Sequence, residues 1–485
     1  MTDRAFRSAT ALTAALGRGE IGARELLDHY LDRVERLNPR VNAVVTLDVE
    51  GARRAADTAD TSRARGGTLG PLHGLPMTVK DTLETAGVRT TAGAPILAGY
   101  VPERDATAVA RLRAAGAVIF GKTNTPAFAA DAQTSNPVFG TTRNPWDASR
   151  AAGGSSGGSA VAVAAGFAAA ELGSDIGGSI RNPAHYCGVY GHKPTHGIVP
   201  LRGHIPGLPG SLAETDLAVV GPLARSADDL TLLMDVVAGP DESRATAWSL
   251  ALPPPRRRAL RDFRVAAWLD DAFCPIDDEV RAHLEAAVAA VRATGARVDD
   301  RARPVPDLGA AFRCYERLLL PIVAAGLPPE EFAGVVRVAE EASADDVRPE
   351  VLSARAITLR HRDWLAADEE RARLRAAWAT FFRDYDVLLC PIEPVAAIPH
   401  DTEGPVAARV IQVNGRPRPY LDQIVWAGLV TMALLPATVA PVGRTRGGLP
   451  VGVQIVGPYL EDRTPIECAR LLAEVVGGYE PPPGF

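Results

Sequence analysis

Two glycine-rich stretches hold the residues best placed to do chemistry: GGSSGGS at 153–159 and GSDIGGSIRNP at 173–183. Crowded glycine lets a backbone approach a partner closely, so a serine among glycines reads as a nucleophile, part of a phosphate cradle or a flexible connector. Phosphate is disfavoured. GGSSGGS lacks the GxxxxGK[ST] arrangement, no lysine follows it to reach a phosphate, and no GxGxxG follows a strand. A nucleophilic serine needs a base within reach, because a hydroxyl is a weak nucleophile at neutral pH. The GxSxG elbow is matched formally at Ser155 and Ser156 but not at Ser179, and the preceding NPWDASRAA is not the apolar strand an elbow needs. His73, His185, His192 and His196 lie near these loops, and none has a spacing that demands a catalytic role.

Lysine is the other candidate base. It serves only if burial lowers its pKa from about 10.4 to roughly 7–8. The chain has three lysines, Lys80, Lys122 and Lys193. Lys80 ends the apolar run GLPMTVK, which predicts a short strand. Two readings of Lys80 stay open: a strand-end partner of Asp81, or the base for a serine.

The elements that must position these residues alternate between helix and strand. Leu12, Leu16, Ile21, Leu26, Leu27, Leu31, Val34 and Leu37 recur at helical spacing and predict a helix pair over residues 8–37, broken at Asn38-Pro39. NAVVTLD predicts a strand, residues 50–62 a helix, and AVARLRAAGAVIFGKTN a helix, a glycine stop and a strand. From about 240 to 383 the composition turns to Pro, Arg, Ala and Glu, with helical patterns at 278–295, 309–325, 329–342 and 351–382. That section reads as a helical excursion over an α/β core spanning about 66–238 and 384–485, with N-terminal helices in 1–62. PPPRRRALRDFR, from Pro253, reads as a solvated connector.

Bulk properties narrow the class. A net charge of −6 without a long basic block disfavours nucleic-acid binding, which needs clustered Lys and Arg. Five scattered cysteines without a CxxC pair fit neither a zinc site nor a disulfide framework and suit a reducing cytoplasm. MTDRAFRSAT lacks a secretory h-region, and SAVAVAAGFAAAELG is too short to span a bilayer, so a soluble cytoplasmic protein is expected.

GLPMTVKD, GKTNTPAF, RNPWDASRAAGGSSGGSAVAVAAG and GSDIGGSIRNPAHYCGVYGHKPT resemble successive blocks of the amidase signature family, and RVNAVVTLD, VGPLARSADDL, YDVLLCPIEP and GLPVGVQIVG extend the likeness. The resemblance covers nearly the whole chain outside about 240–380. It implies one domain over 1–485, a mixed central sheet wrapped by helices with a helical insertion, and a Ser–cisSer–Lys triad needing neither cofactor nor metal. By resemblance Lys80 is the base and Ser155 the bridging serine. Ser179, 24 residues further on, is the nucleophile. The backbone amides of Ile176, Gly177, Gly178 and Ser179 are expected to form an oxyanion hole, with glycine at 177 and 178 leaving room for close approach. Gly154, Ala129 and Ala130 are assigned to substrate binding.

Asp175 and Arg181 are expected to hold the loop, Ser156 and Ser174 to satisfy local backbone groups, and Trp364, Trp378 and Trp426 to pack helices. Two alanines at 129 and 130, and LVTMALLPATVAPVG without the asparagine usual in relatives, favour a bulky apolar amide, aryl amide or carbamate (urethane). The alternative is the glutamine-hydrolysing subunit of an amidotransferase acting on misacylated tRNA. Expected partners are a small-molecule amide or carbamate, with no nucleic acid, no membrane, and a monomeric or homodimeric state.

Overall fold

The computed structural model describes residues 3–485. At its centre lies one eleven-stranded mixed sheet. Its strands are β1 (Val44–Leu47), β2 (Pro76–Lys80), β3 (Val118–Thr123), β4 (Glu171–Asp175), β5 (Tyr190–Lys193), β6 (Val219–Ala224), β7 (Arg264–Ala267), β8 (Arg297–Asp299), β9 (Val387–Cys390), β10 (Ala437–Arg444) and β11 (Pro450–Val456). They lie side by side in the order β1-β3-β2-β4-β6-β5-β10-β11-β9-β7-β8. β2 runs parallel to both β3 and β4, so Lys80 and Asp175, at the ends of β2 and β4, emerge at the same edge. β2, β3, β4, β6 and β11 are buried along their whole length, as strands covered on both faces must be, and they read as near-continuous runs rather than alternating patterns.

The helix Gly157–Ala164 is buried at every residue against this sheet. Its glycines answer to backbone crossing. A Cβ on Gly158 would lie 2.3 Å from Asn124 N and 2.8 Å from Ala43 O. Ahead of the sheet, the predicted helix pair forms as Ala9–Arg18 and Ala23–Leu37. Ser8 Oγ accepts the Ala11 N–H at its start, and Gly19, at φ +72°, closes the first helix.

The section 240–383 departs from a purely helical reading. Helices form at Asp278–Ala293, Leu308–Ala324 and Pro329–Glu341, but β7 and β8 also come from this section and extend the sheet edge in parallel with β9. Strands of three and four residues are too short to reveal a two-residue period. The continuous pattern 351–382 divides into Pro349–Ile357 and His361–Asp384, because Thr358 leaves the helix at φ −98°, ψ 21° and Arg360 is extended. Thr358-Leu359-Arg360 contains neither Gly nor Pro to signal that break. PPPRRRALRDFR is also more than a solvated connector. Arg256 binds Glu461 and the Phe382 and Tyr385 carbonyls, while Arg257 and Arg264 bind the buried Asp386. No helix among the described residues is long and apolar enough to cross a membrane.

Candidate active site

β2 carries Lys80 into the interior, where it is fully buried. Its Nζ lies 2.7 Å from Ser155 Oγ and 3.0 Å from Ser174 Oγ. Burial lowers the amine to about 7, although the carboxylates of Asp175 and Glu171 act in the opposite sense. Near neutral pH a large fraction of Lys80 is therefore a free amine whose lone pair can take a proton. Asp81 is not its partner: that carboxylate accepts the Thr91 N–H and hydroxyl.

Ser155 follows a cis peptide bond from Gly154. Backbone crowding explains glycine at 154, because a Cβ there would lie 2.6 Å from Asp131 O and 2.8 Å from Gln133 N. The Gly154 N–H donates to Asn182 Oδ1 at 3.0 Å and is thereby engaged inside the protein. Ser156 Oγ donates to Ser174 O and accepts from Ser174 N–H, the local backbone role expected of it. Ser174 behaves differently, placing its hydroxyl on Lys80.

Ser179 sits on the turn between β4 and the helix Arg181–Cys187, close to the other serine stretch: the Ser156 N–H donates to Ser179 O at 3.0 Å. Its side-chain hydroxyl has no hydrogen-bond partner among the described residues. The turn is held by Asp175, whose carboxylate accepts from Gly178 N–H at 2.9 Å, Ile180 N–H at 3.0 Å and both Nε and Nη2 of Arg181. Burial opposes the charge of Asp175, yet Arg181 and these donors hold its carboxyl down at about 2.

The expected oxyanion donors divide into two groups. The Gly178 N–H is taken by Asp175, whereas the N–H groups of Ile176, Gly177 and Ser179 have no acceptor among the described residues. Glycine at 178 answers to backbone shape, with φ at +107° and Ala427 Cβ 3.0 Å from a Cβ placed there. At 177 a Cβ would make only ordinary contacts, 3.5 Å from Ile424 Cγ2 and from the Tyr315 hydroxyl, so close approach does not by itself exclude a side chain there.

Ala129, half-buried, and Ala130, exposed, lie on the loop whose next residues press on Gly154. Phe128 and Ala129 both adopt left-handed backbone, at φ 51° and 57°. His185 and His192 are engaged elsewhere, with the Gly452 N–H and with Thr438 and Asp462. Trp378 stacks on Phe382, and Trp426 packs edge-on against Trp268. Three residues of this region carry no signal in the sequence, Glu171, Tyr315 and Ile424, whereas Ser174, expected to satisfy a backbone group, instead accepts from Lys80.

The mixed central sheet wrapped by helices is the fold of hydrolases acting on carbon–nitrogen bonds. The chain belongs to the amidase family, which it matches over residues 25–465. It is 37% identical over 473 residues to a glutamyl-tRNA(Gln) amidotransferase subunit from a Roseiflexus species, covering 93% of this chain and 92% of that one. Among solved structures, it resembles an amidase with TM-score 0.78 and 33% identity, covering 97% of this chain and 100% of that one. A second is 6-aminohexanoate cyclic dimer hydrolase in complex with substrate, with TM-score 0.77, 28% identity and 98% of each chain covered. These likenesses correct the expected partners. Relatives named as one subunit of a glutamyl-tRNA(Gln) amidotransferase are at odds with a small-molecule amide or carbamate alone, with the exclusion of nucleic acid, and with a monomer or homodimer. A net charge of −6 is a property of this chain alone and does not exclude nucleic acid.

Proposed function

We propose that the site hydrolyses carboxylic amides through an acyl-enzyme on Ser179, with Ser155 and Lys80 as the proton relay. The observation that carries it is Lys80 Nζ, buried and lowered to about 7, at 2.7 Å from Ser155 Oγ. Ser179 Oγ bonds to the carbonyl carbon while its proton passes to Ser155, whose own proton passes to the Lys80 amine. The oxyanion is received by the free N–H groups of Ile176, Gly177 and Ser179. The relay then returns the proton to nitrogen, the C–N bond breaks, and the amine or ammonia departs. Water attacks the acyl-serine by the same route and releases the acid.

For the acyl donor, the relatives named as glutamyl-tRNA(Gln) amidotransferase subunits support glutamine, with this chain supplying ammonia to an acceptor on tRNA in company with other chains. A second reading, an amide, aryl amide or carbamate with a bulky apolar group, is favoured by one specific observation. Ile424 and Ala427 flank the Gly177-Gly178 turn beside Asn182 and the Tyr315 hydroxyl, which is committed to Ile176 O, and neither apolar side chain pairs with the charged ends of glutamine.

The test runs wild type and Ser179→Ala side by side on glutamine, read as ammonia, and on hexanoic acid 4-nitroanilide, read as 4-nitroaniline. Turnover of either substrate that vanishes in the variant supports the nucleophile, and the preferred substrate decides between the readings. Turnover that survives Ser179→Ala overturns the mechanism.

A further inference from the structure

Tyr315, on the helix Leu308–Ala324, is fully buried, and its hydroxyl donates to the carbonyl of Ile176 at 2.8 Å. That carbonyl and the Gly177 N–H belong to one planar peptide group, so a donor on the oxygen fixes the direction of the N–H. It also polarises the group, because hydrogen bonds in series strengthen one another away from water. Two further contacts hold the phenol in place. A Cβ on Gly428 would lie 2.6 Å from Tyr315 Cδ1, so glycine at 428 makes room for the ring, and Phe312 packs against it in a tilted pair with centroids 5.9 Å apart.

We propose that Tyr315 is a positioning residue for the oxyanion hole, aiming and polarising the Ile176–Gly177 peptide from a helix outside the glycine-rich motifs. This rests on the reading of Ser179 as the nucleophile. The charged groups bearing on the phenol are Asp175 on β4, Arg181 on the helix after Ser179, and Glu316 on its own helix. Burial, the dominant influence, raises the phenol well above the ordinary tyrosine range, so the hydroxyl remains a donor across all working pH values.

The test is the second-order rate at which a rhodamine fluorophosphonate labels Ser179, a reaction that needs no knowledge of the natural substrate. The Ser179 Oγ–P bond forms, P–F breaks, fluoride leaves, and the phosphonyl oxygen occupies the oxyanion position. Tyr315→Phe removes only the hydroxyl and is expected to lower the rate about tenfold, equally from pH 6.5 to 9. Gly428→Ala keeps the hydroxyl but displaces the ring, and the same fall is expected; it carries the test if Tyr315→Phe does not fold. Leu318→Ala, a buried residue of the same helix, perturbs packing alone and should stay within threefold of wild type. A fall of less than threefold in the folded Tyr315 or Gly428 variants, or an equal fall in Leu318→Ala, overturns the role of Tyr315. Labelling that persists in Ser179→Ala instead overturns the nucleophile, a separate failure.

Discussion

Asp175 and Arg181 form a two-point ion pair beneath the Ser179 turn, Nη2 to Oδ1 at 2.8 Å and Nε to Oδ2 at 3.0 Å, with both side chains wholly sealed from solvent. The other Arg181 donors reach Ala427 O, Gln454 Oε1 and Thr431 Oγ1, so every guanidinium N–H has an acceptor. One side chain thus ties the turn to the helix Val425–Met432 and to β11. Such a pair is costly to break from one side, because the surviving charge stays buried.

Arg181→Ala should therefore destabilise the fold by about 3–5 kcal/mol. It should also release the Gly178 and Ile180 amides from their fixed geometry. Urea unfolding midpoints measure the first effect, and loss of Ser179 labelling measures the second. Arg181→Lys should recover only part of either, since an ammonium cannot reproduce the planar fork. The folded-state pKa of Asp175 is depressed from 3.8 to about 2, so its contribution is complete above the unfolded value and disappears as pH falls through about 2. Stability that stays flat in wild type between pH 4 and 2 would exclude this pair as an acid-sensitive element.

Much of the site is legible in the sequence because glycine is diagnostic where backbone must cross backbone. Within GGSSGGS and DIGGS the choice of Ser155 and Ser179 comes from the likeness to the amidase signature family, and the apolar run before Lys80 announces a buried strand end while leaving its role open. The flanking roles of Asp175 and Arg181 follow from their distance of six residues on one turn. Tyr315 was not legible: 139 residues separate it from Ile176, and on its own helix it reads as one more apolar position. Glu171 was hidden for the opposite reason, as a polar residue in an otherwise ordinary strand. β7 and β8 escape detection because strands of four and three residues are too short to show a two-residue period.

The lysine base predicts an acid limb in the rate. With Lys80 lowered to about 7, kcat/KM should rise through that pH as the amine loses its proton, then level off. Lys80→Arg keeps the charge permanently and should reduce kcat about 10³-fold. A flat profile from pH 5.5 to 8.5, measured on whichever amide is turned over, would remove Lys80 as the base.

All three lysines are fully buried. Burial also lowers Lys193 to about 7 and Lys122 to about 8. Such amines are nucleophilic near neutral pH, yet a bulky reagent cannot reach them. Sulfo-NHS-biotin on the native protein should modify none of the three, and after denaturation it should modify all of them. Peptide mapping by mass spectrometry reads the result, and native labelling at Lys122 or Lys193 would contradict the packing of β3 and β5.

Glu171 lies on β4 opposite Thr78, two residues before Lys80 on β2. Its Oε2 accepts the Leu172 N–H at 3.0 Å, and Oε1 is buried without a protein partner. Burial raises the carboxyl to about 7, against the pull of Thr78, Thr123, Leu172 and Ser159. Burial favours the neutral form of both groups, raising the carboxyl and lowering the amine, and an ionised Glu171 favours the protonated form of Lys80. Glu171→Gln preserves the shape and removes that charge. The neutral amine then forms at lower pH, so the acid limb of kcat/KM should move down, while the plateau changes little. Asp175 remains in the variant, fixed as an anion by Arg181, so the limb shifts rather than vanishes. A limb that stays where it was would mean that Glu171 remains protonated throughout, leaving Asp175 as the one carboxylate that governs the base.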